Sequence, residues 1–349
     1  MKSGKLQTAV VGATGYAGLE LTRILLRHPR LVPPLLLERS ALNEAPRDLA
    51  EVFPVLSGNG GYPLQALSWP ALKRQGVELL FLATPPEVSR SLVPEAMAQG
   101  LRVIDLSAAW RLQRREHRAV YQFEDEDSVS AAELRERAVY GLPELHSQRI
   151  RQASLVANPG CYATSVILAL APLVDAGLID EQRGIISDSK SGVSGAGKEP
   201  TSGTHFVSVA DNLSAYAVFH HRHVGEILEQ LHLEASLLTF TPHLLPIPRG
   251  ILSTVYVYLN RPVQPVEVEE VLRSFYRGRR WVRIFPTPSL PQIRFSLNTN
   301  YCDIGFCLAD DGRRLVLVSC LDNLLKGAAG QAAENLNLMY GWSAEAGLA

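Results

Sequence analysis

A strand that runs straight into three glycines, spaced three and three, constrains this chain more than any other feature. Val10-Val11 closes a short apolar run over residues 8–12, and Gly12-Ala13-Thr14-Gly15-Tyr16-Ala17-Gly18 follows, ahead of a helical pattern over 19–26. One glycine serves the tight turn; the others bring backbone N–H groups and a helix N-terminus close to an anion such as a pyrophosphate. The spacing is not that of G-x-G-x-x-G. Its place after a strand and before a helix is still that of a dinucleotide-binding turn.

The runs that follow extend this pattern. Short apolar stretches at 31–37, 79–83 and 102–106 alternate with helical ones, and Pro33-Pro34 confines the first to its later residues. This predicts βαβ units and a parallel sheet buried on both faces, lasting to about residue 142. Beyond Cys161 the texture changes. A helix is expected over 163–178, with Pro172 as a break point, and then a polar, glycine-rich stretch over 187–202. Period-two alternation at 252–258, 304–308 and 314–319 predicts strands of an antiparallel or mixed sheet with one covered face. Helical patterns occupy 266–276 and 321–340. The expected fold class is α/β: a Rossmann-type parallel-sheet domain, then an α+β domain, then a terminal helix.

At 349 residues there is room for two full cores, and a net charge of −1 argues against a general polyanion binder, hence against nucleic acid as partner. No run is long enough for a membrane span, and the first seven residues lack the shape of a signal peptide. The 4 cysteines are irregularly spaced, with no C-x-x-C pair, so neither a disulfide framework nor a structural zinc site is expected. A reducing cytoplasm suits such a chain and leaves thiols free to react.

One thiol is placed to do so. Asn158-Pro159-Gly160-Cys161-Tyr162 sets a turn signal directly before the helix of 163–178. Unpaired N–H groups and the dipole at a helix mouth favour a thiolate, which is the nucleophilic form. His220-His221-Arg222-His223 offers an imidazole as general acid/base, and no acidic or thiol partner at ligand spacing supports a metal reading. The same run also reads as a helix start leading into 224–231.

At the end of the second strand Glu38 stands where an acid holds a ribose 2′-OH, while Arg39 and Ser40 suit a 2′-phosphate. Adjacent strand residues point opposite ways, and Arg39 with Ser40 is preferred, hence NADP. The stretch from Ser189 to Lys198 resembles a phosphate-cradling loop, but Glu199 stands where a P-loop has a hydroxyl residue, so triphosphate hydrolysis is not expected. Arg111 and Arg249 each read as a phosphate or carboxylate clamp or as a surface ion pair.

Taken together, these runs resemble N-acetyl-gamma-glutamyl-phosphate reductases. The resemblance is carried by Gly12 to Gly18, Asp105-Leu106-Ser107, Asn158 to Tyr162, Ser191-Gly192-Val193-Ser194-Gly195-Ala196-Gly197 and His221-Arg222-His223. Pro242-His243-Leu244, Pro246, Arg249-Gly250 and the closing run Asp322 to Gln331 add to it, in the family's order over nearly the whole chain. That family shares the aspartate-semialdehyde dehydrogenase fold and reduces an acyl phosphate with NADPH in arginine biosynthesis. One departure is visible: the family usually has Asp-Phe where Ala109-Trp110 stand, although Arg111 is kept.

The resemblance implies a dinucleotide-binding domain over 1–157, a catalytic and dimerisation domain over 158–319, and a terminal helix over 320–349 returning to the first domain. It implies Cys161 as nucleophile, forming a thioester, with His221 or His223 as acid/base. Gly12, Thr14, Gly15, Tyr16, Ala17, Gly18, Arg39, Ser40, Thr84, Pro85 and Ser107 would hold NADP, with Ser191, Gly192 and Asn323 near its nicotinamide. Arg111, Asn158, Ser194, Lys198 and Arg249 would meet the small acyl-phosphate substrate. A homodimer or homotetramer is expected. The alternatives are a reductase acting on a carrier-protein-linked aminoadipyl or glutamyl phosphate, which should show a basic groove, and a cofactor-sensing binding protein, which should have lost its nucleophile or histidine.

Overall fold

The structure is a computed structural model that describes residues 4–38, 47–58, 60–124 and 128–348. The chain divides into two compact units. One comprises Met1–Arg111, Phe123–Asn158 and Ala329–Ala349, the other Leu112–Gln122 and Pro159–Ala328.

The first unit is built on eight strands: β1 (Gln7–Val11), β2 (Leu35–Glu38), β3 (Arg47–Asp48), β4 (Pro63–Ala66), β5 (Val77–Leu82), β6 (Arg102–Asp105), β7 (Ala138–Tyr140) and β8 (Leu155–Ala157). Their order is β3-β4-β2-β1-β5-β6-β8-β7, parallel throughout except for the β3–β4 pair. β2 begins only after Pro33-Pro34, since proline cannot donate to a central ladder. Leu79, Leu80, Phe81 and Leu82 are all 0 % exposed, so β5 is covered on both faces, as a parallel sheet requires. Helix Tyr16–Arg27 follows β1, and helix Gly330–Met339 packs against it and against helix Pro143–Gln152.

The Ala109-Trp110 departure has a packing explanation. Trp110 is buried, and the Arg90 guanidinium lies 4.9 Å from its ring and 4.3 Å from that of Phe123. A cation between two aromatic faces is held by their quadrupoles.

The second unit carries β9 (Ile185–Gly192), β10 (Ser214–Ala215), β11 (Leu238–Leu245), β12 (Ile251–Tyr258), β13 (Val282–Ile284), β14 (Cys302–Leu308) and β15 (Arg314–Leu321). They form a mixed sheet in the order β10-β11-β9-β12-β15-β14-β13. Helix Cys161–Asp175 lies on one face of β12 and β15, and helices Val224–Leu231 and Pro265–Phe275 pack on that helix. Pro172 does not break it; it sits in the last turn. On the opposite face Ile186 and Tyr256 are 50 % and 43 % exposed.

Two sequence expectations are corrected here. The start of the polar stretch over 187–202, as far as Gly192, is strand β9, with β11 and β12 on its two sides. Ser187, Ser189 and Ser191 alternate inward like apolar strand residues. The hydroxyl of Ser189 donates to Ser253 (2.8 Å), and Ser165 donates to both Ser253 (2.9 Å) and Ser319 (3.2 Å), so the buried polar atoms satisfy one another. The continuous helix expected over 321–340 is instead the end of β15, a turn, a π-helical segment Leu325–Ala329, and helix Gly330–Met339. Its apolar pattern is that of a buried segment, which periodicity alone does not assign to one element.

Candidate active site

The setting of Cys161 begins with Gly160, which caps helix Cys161–Asp175 with no side-chain cap of its own. The Gly160 carbonyl accepts from both the backbone N–H and the hydroxyl of Thr164, at 2.8 and 3.0 Å. A trans peptide places N–H opposite C=O, so the Cys161 N–H points out of the helix mouth. The first turn holds no acidic residue to oppose a negative charge there, and Cys161 is half-buried.

Two histidines of the 220–223 run turn inward: His221 is 9 % and His223 6 % exposed, whereas His220 is exposed. A Cβ built on Gly160 would come within 2.5 Å of Nε2 of His223, so that imidazole occupies the space a side chain would fill next to Cys161. Nδ1 of His221 accepts the His223 backbone N–H at 3.1 Å, which leaves its proton on Nε2. Burial, and then the Arg222 charge, lower the His221 pKa to about 4, so it is neutral at physiological pH. The Tyr162 ring meets His221 edge-on at 5.5 Å between centroids and His223 at 6.1 Å, and its hydroxyl donates to the His243 carbonyl at 2.8 Å. Burial pushes the phenols of Tyr162 and Tyr216 above their usual range, and a charge on Cys161 adds to both shifts.

The π-helical segment also meets Cys161. A Cβ on Gly327 would meet Cys161 Cβ at 2.7 Å. Asp322, fully buried, organises the turn before it: Oδ1 accepts the Leu324 and Leu325 N–H groups at 2.9 and 3.2 Å, and Oδ2 accepts the Asn298 N–H at 2.8 Å. Arg249 donates to Oδ1 of Asp322 from Nη2 at 3.0 Å. Asn323 accepts the Gly250 N–H at 2.7 Å and donates to Ser194 Oγ at 2.9 Å, while Gly192 N–H reaches the Gly250 carbonyl at 2.9 Å. Ser191, Gly192, Ser194, Arg249 and Asn323 are thus gathered into one knot of the second unit. Lys198 lies beyond it, exposed, just after Gly197.

The remaining candidates belong to the first unit. Gly12 has φ +87°, and a Cβ there would meet the Ala83 carbonyl oxygen at 2.3 Å; one on Gly18 would meet the Gly12 oxygen at 2.1 Å. This close-packed turn leads into helix Tyr16–Arg27, whose first turn carries neither a side-chain cap nor an acidic residue. Thr14, Gly15, Tyr16 and Ala17 lie along it. Thr84 follows β5, and its hydroxyl shares a hydrogen bond with Ser89 (2.9 Å), which donates to the buried Asp105 (2.8 Å). The N–H and hydroxyl of Ser107 also donate to Asp105, at 2.9 and 2.7 Å. Burial raises the Asp105 pKa against the pull of these bonds. Pro85 caps helix Pro86–Ala98. Arg111 is 7 % exposed and donates to the carbonyls of Asn158 (2.7 Å) and Leu106 (2.8 Å), and Asn335 donates to the Asn158 side chain at 3.0 Å. Arg39 and Ser40 lie outside the described residues. Glu38 has Arg47 4.0 Å from its carboxyl. Among the described residues no group of three or more His, Cys, Asp or Glu could hold a metal ion.

Sequence reading missed Glu226, Tyr162, Tyr216, Asp322 and Gly327. Glu226 is 0 % exposed and accepts the Gly160 N–H at 2.9 Å. An acid three residues after His223, on the buried face of an amphipathic helix, was the available signal.

Two family models match the chain. A semialdehyde dehydrogenase NAD binding domain covers residues 7–153, and a semialdehyde dehydrogenase dimerisation domain covers 161–323. Among curated relatives, the N-acetyl-gamma-glutamyl-phosphate reductase of Desulfotalea psychrophila is 42 % identical over 347 residues, covering 98 % of each chain. That of Pelotomaculum thermopropionicum is 44 % identical over 348 residues (99 % of this chain, 98 % of the relative), and that of Methanocaldococcus jannaschii 40 % over 344 (98 % and 97 %). Among solved structures, aspartate semialdehyde dehydrogenase II of Vibrio cholerae complexed with ASA superposes with a TM-score of 0.71 at 19 % identity, over 97 % of this chain and 99 % of that one. The Candida albicans aspartate semialdehyde dehydrogenase with NADP gives 0.68 at 15 % identity, over 97 % and 99 %. These structural likenesses concern the fold.

Proposed function

The chain belongs to the N-acetyl-gamma-glutamyl-phosphate reductase family, and from that premise we propose how its residues carry the reaction. The protein is an NADP-dependent oxidoreductase of arginine biosynthesis: it reduces N-acetyl-L-glutamyl 5-phosphate to N-acetyl-L-glutamate 5-semialdehyde and releases phosphate. The observation that supports our mechanism best is the approach of His223 to Gly160, the residue before Cys161.

NADP fits the residues present. The close-packed turn from Gly12 to Gly18 opens onto an uncapped helix end with no acidic side chain, which suits a pyrophosphate. Arg47 beside Glu38 favours a 2′-phosphate over a bare ribose, with Arg39 and Ser40 proposed to complete that contact. Thr84, Pro85 and Ser107 are proposed to line the same site, and Ser191, Gly192 and Asn323 to serve the nicotinamide side. When bound, NADPH supplies the hydride that reduces the acyl group carried on Cys161.

His223 takes the thiol proton as Cys161 Sγ attacks the acyl-phosphate carbonyl. The oxyanion of the tetrahedral adduct is stabilised by the Cys161 N–H and the helix mouth, a preorganised donor set. Collapse breaks the bond to phosphate and leaves a thioester on Cys161. After reduction, the C–S bond breaks, aldehyde forms, and His223 returns its proton to the sulfur. His221, neutral and with its proton on Nε2, serves as a hydrogen-bond donor to the substrate. Lys198 and Ser194 meet the substrate's anionic groups, whereas Arg111, Arg249 and Asn158 hold backbone and Asp322 in place.

The dimerisation family model over 161–323 supports a homo-oligomer. We assign its contact, as a dimer or a pair of dimers, to the half-open face of the second sheet around Ile186 and Tyr256. A catalytic thiol that acts only when reduced favours the cytoplasm. Among the described residues no helix is long and apolar enough to cross a membrane.

The test is phosphate-dependent NADP reduction with N-acetylglutamate semialdehyde, its one-carbon-longer homologue and its free-amine analogue. Turnover of the first is expected to exceed the others. No turnover of the first overturns the reading, and preference for the longer or carrier-attached analogue reassigns the substrate.

A further inference from the structure

We propose that the arginine-rich edge of the second sheet, around β13, is a docking surface for an acidic protein partner, one that presents carboxylates beside an apolar anchor. Residues 271–302 carry six arginines, no lysine and no acidic residue, in a chain whose net charge is −1. The rest of the chain is therefore net −7. Net charge describes the whole surface and sets no limit on a single face.

Folding brings these arginines together. β13 ends the sheet and pairs with β14 alone. Arg280 and Arg283 both lie over the Tyr301 ring, at 5.9 and 4.0 Å. Arg283 also donates to the Phe295 carbonyl at 3.1 Å. The Arg294 guanidinium lies 5.2 Å from the Phe295 ring, which stacks on Phe285 at 6.1 Å. Arg273, in the last turn of helix Pro265–Phe275, donates to the Ile284 carbonyl at 3.4 Å. Arg277 and Arg279 stand in the turn between that helix and β13. Glu269 and Asp303 meet the charges of Arg273 and Arg283. Among the described residues no ion pair engages Arg277, Arg279 or Arg294.

Edge strands are commonly guarded by charge, lysine above all, which keeps other chains off. A guard has no use for apolar groups, and here Leu290 and Phe295 are 38 % and 40 % exposed on the same segment. Arginine and aromatic residues in excess, with lysine and acids depleted, is the composition of a protein interface. The guanidinium fork suits carboxylates. A nucleic acid fits less well, because the rings a base would stack on are occupied: Tyr301 by two guanidiniums, Phe295 by Arg294 and Phe285. A two-fold contact between copies would set arginine against arginine. β13 also lies two strands beyond β15, on which helix Cys161–Asp175 packs, and this sets the face to one side of that helix.

The probe is a fluorescein-labelled peptide of about 16 residues, glutamate and aspartate around a central leucine and phenylalanine, titrated with the whole protein and read by fluorescence anisotropy. Saturable binding is expected at about 50 mM NaCl, weakened at least about tenfold at about 300 mM. The double variant Arg277→Glu with Arg294→Glu is expected to bind at least about tenfold more weakly, with wild-type kcat and melting temperature. Leu290→Ser is expected to weaken binding about threefold without changing its salt dependence. Should charge reversal disturb folding, Arg277→Gln with Arg294→Gln reports the same loss at smaller size. Binding is read without turnover, so its failure leaves the catalytic reading untouched. No saturable binding, or equal binding by the double variant, overturns the proposal. Tighter binding of an oligothymidylate of equal charge, indifferent to Leu290→Ser, would assign the face to nucleic acid and overturn it. Loss of the wild-type oligomer in the double variant, by sedimentation velocity, would assign it to a second copy and overturn it as well.

Discussion

The imidazole of His223 and the Cα of Gly160 are in direct contact, so close that a Cβ on residue 160 would fall 2.5 Å from Nε2. The residue next in sequence is Cys161, the proposed nucleophile. No side chain fits at 160 while the ring stays where it is. Gly160→Ala is therefore expected to push His223 away from Cys161. Misplacement by about 1 Å costs on the order of a hundredfold in rate. Steady-state kinetics should show that loss in kcat, with NADPH binding by fluorescence titration unchanged. An alanine variant with wild-type kcat would show that the contact has no catalytic consequence.

The buried His221 has a pH signature of its own. Burial and Arg222 lower the His221 pKa from 6.5 to about 4 in the folded state. A base whose folded pKa is depressed stabilises the fold fully above its unfolded pKa. That contribution is lost as pH falls from 6.5 through about 4. The expected size is about 3 kcal/mol. His221→Asn keeps an oxygen to accept the His223 N–H and removes the titration. Urea unfolding at pH 7 and pH 4 should show a smaller acid loss in the variant than in the wild type. Equal losses would place the acid sensitivity elsewhere. The same variant should retain more activity than His223→Asn.

The π-helical segment also packs against Cys161. Gly327 approaches Cys161 so closely that an added Cβ would sit 2.7 Å from Cys161 Cβ, with both neighbouring backbones held by buried hydrogen bonds. Gly327→Ala is expected to turn the Cys161 side chain from its rotamer and reduce both kcat and alkylation by iodoacetamide by about tenfold or more. Its melting temperature should fall only modestly. Alkylation at the wild-type rate would mean that the thiol does not depend on this contact.

Where a signal was local in sequence, the chain announced its structure. The turn from Gly12 to Gly18, the strand limited by Pro33-Pro34, and the Pro-Gly-Cys helix mouth each depend on residues within a few positions. Asp322 and Arg249 are 73 positions apart, and Glu226 reaches Gly160 across 66, so their partnership exists only after folding. Strand β9 was hidden for another reason. Its buried serines look solvated until Ser253 of β12 pairs with Ser189, and Ser165 and Ser319 extend that chain of hydroxyls from two further elements. Arg249 shows the limit on the site itself. A cation between proline and glycine is equally suited to an anionic substrate and to a buried acid, and its sequence neighbours do not distinguish them.

That ambiguity supports a final test. Asp322 is 0 % exposed, and Arg249 donates to it at 3.0 Å with its side chain only 19 % exposed. Removing one partner of a buried pair leaves the other charge uncompensated, at a cost of roughly 3–5 kcal/mol. Three backbone N–H groups, of Asn298, Leu324 and Leu325, remain on Asp322 and keep the Arg249→Ala loss toward the lower end. Arg249→Ala is therefore expected to lower the melting temperature by several degrees. Its kcat should fall as the turn ahead of Gly327 loosens, with KM for the acyl phosphate nearly unchanged. A substrate clamp predicts the reverse: a large rise in KM at wild-type stability. Differential scanning calorimetry alongside initial-rate kinetics on the same preparation separates the two.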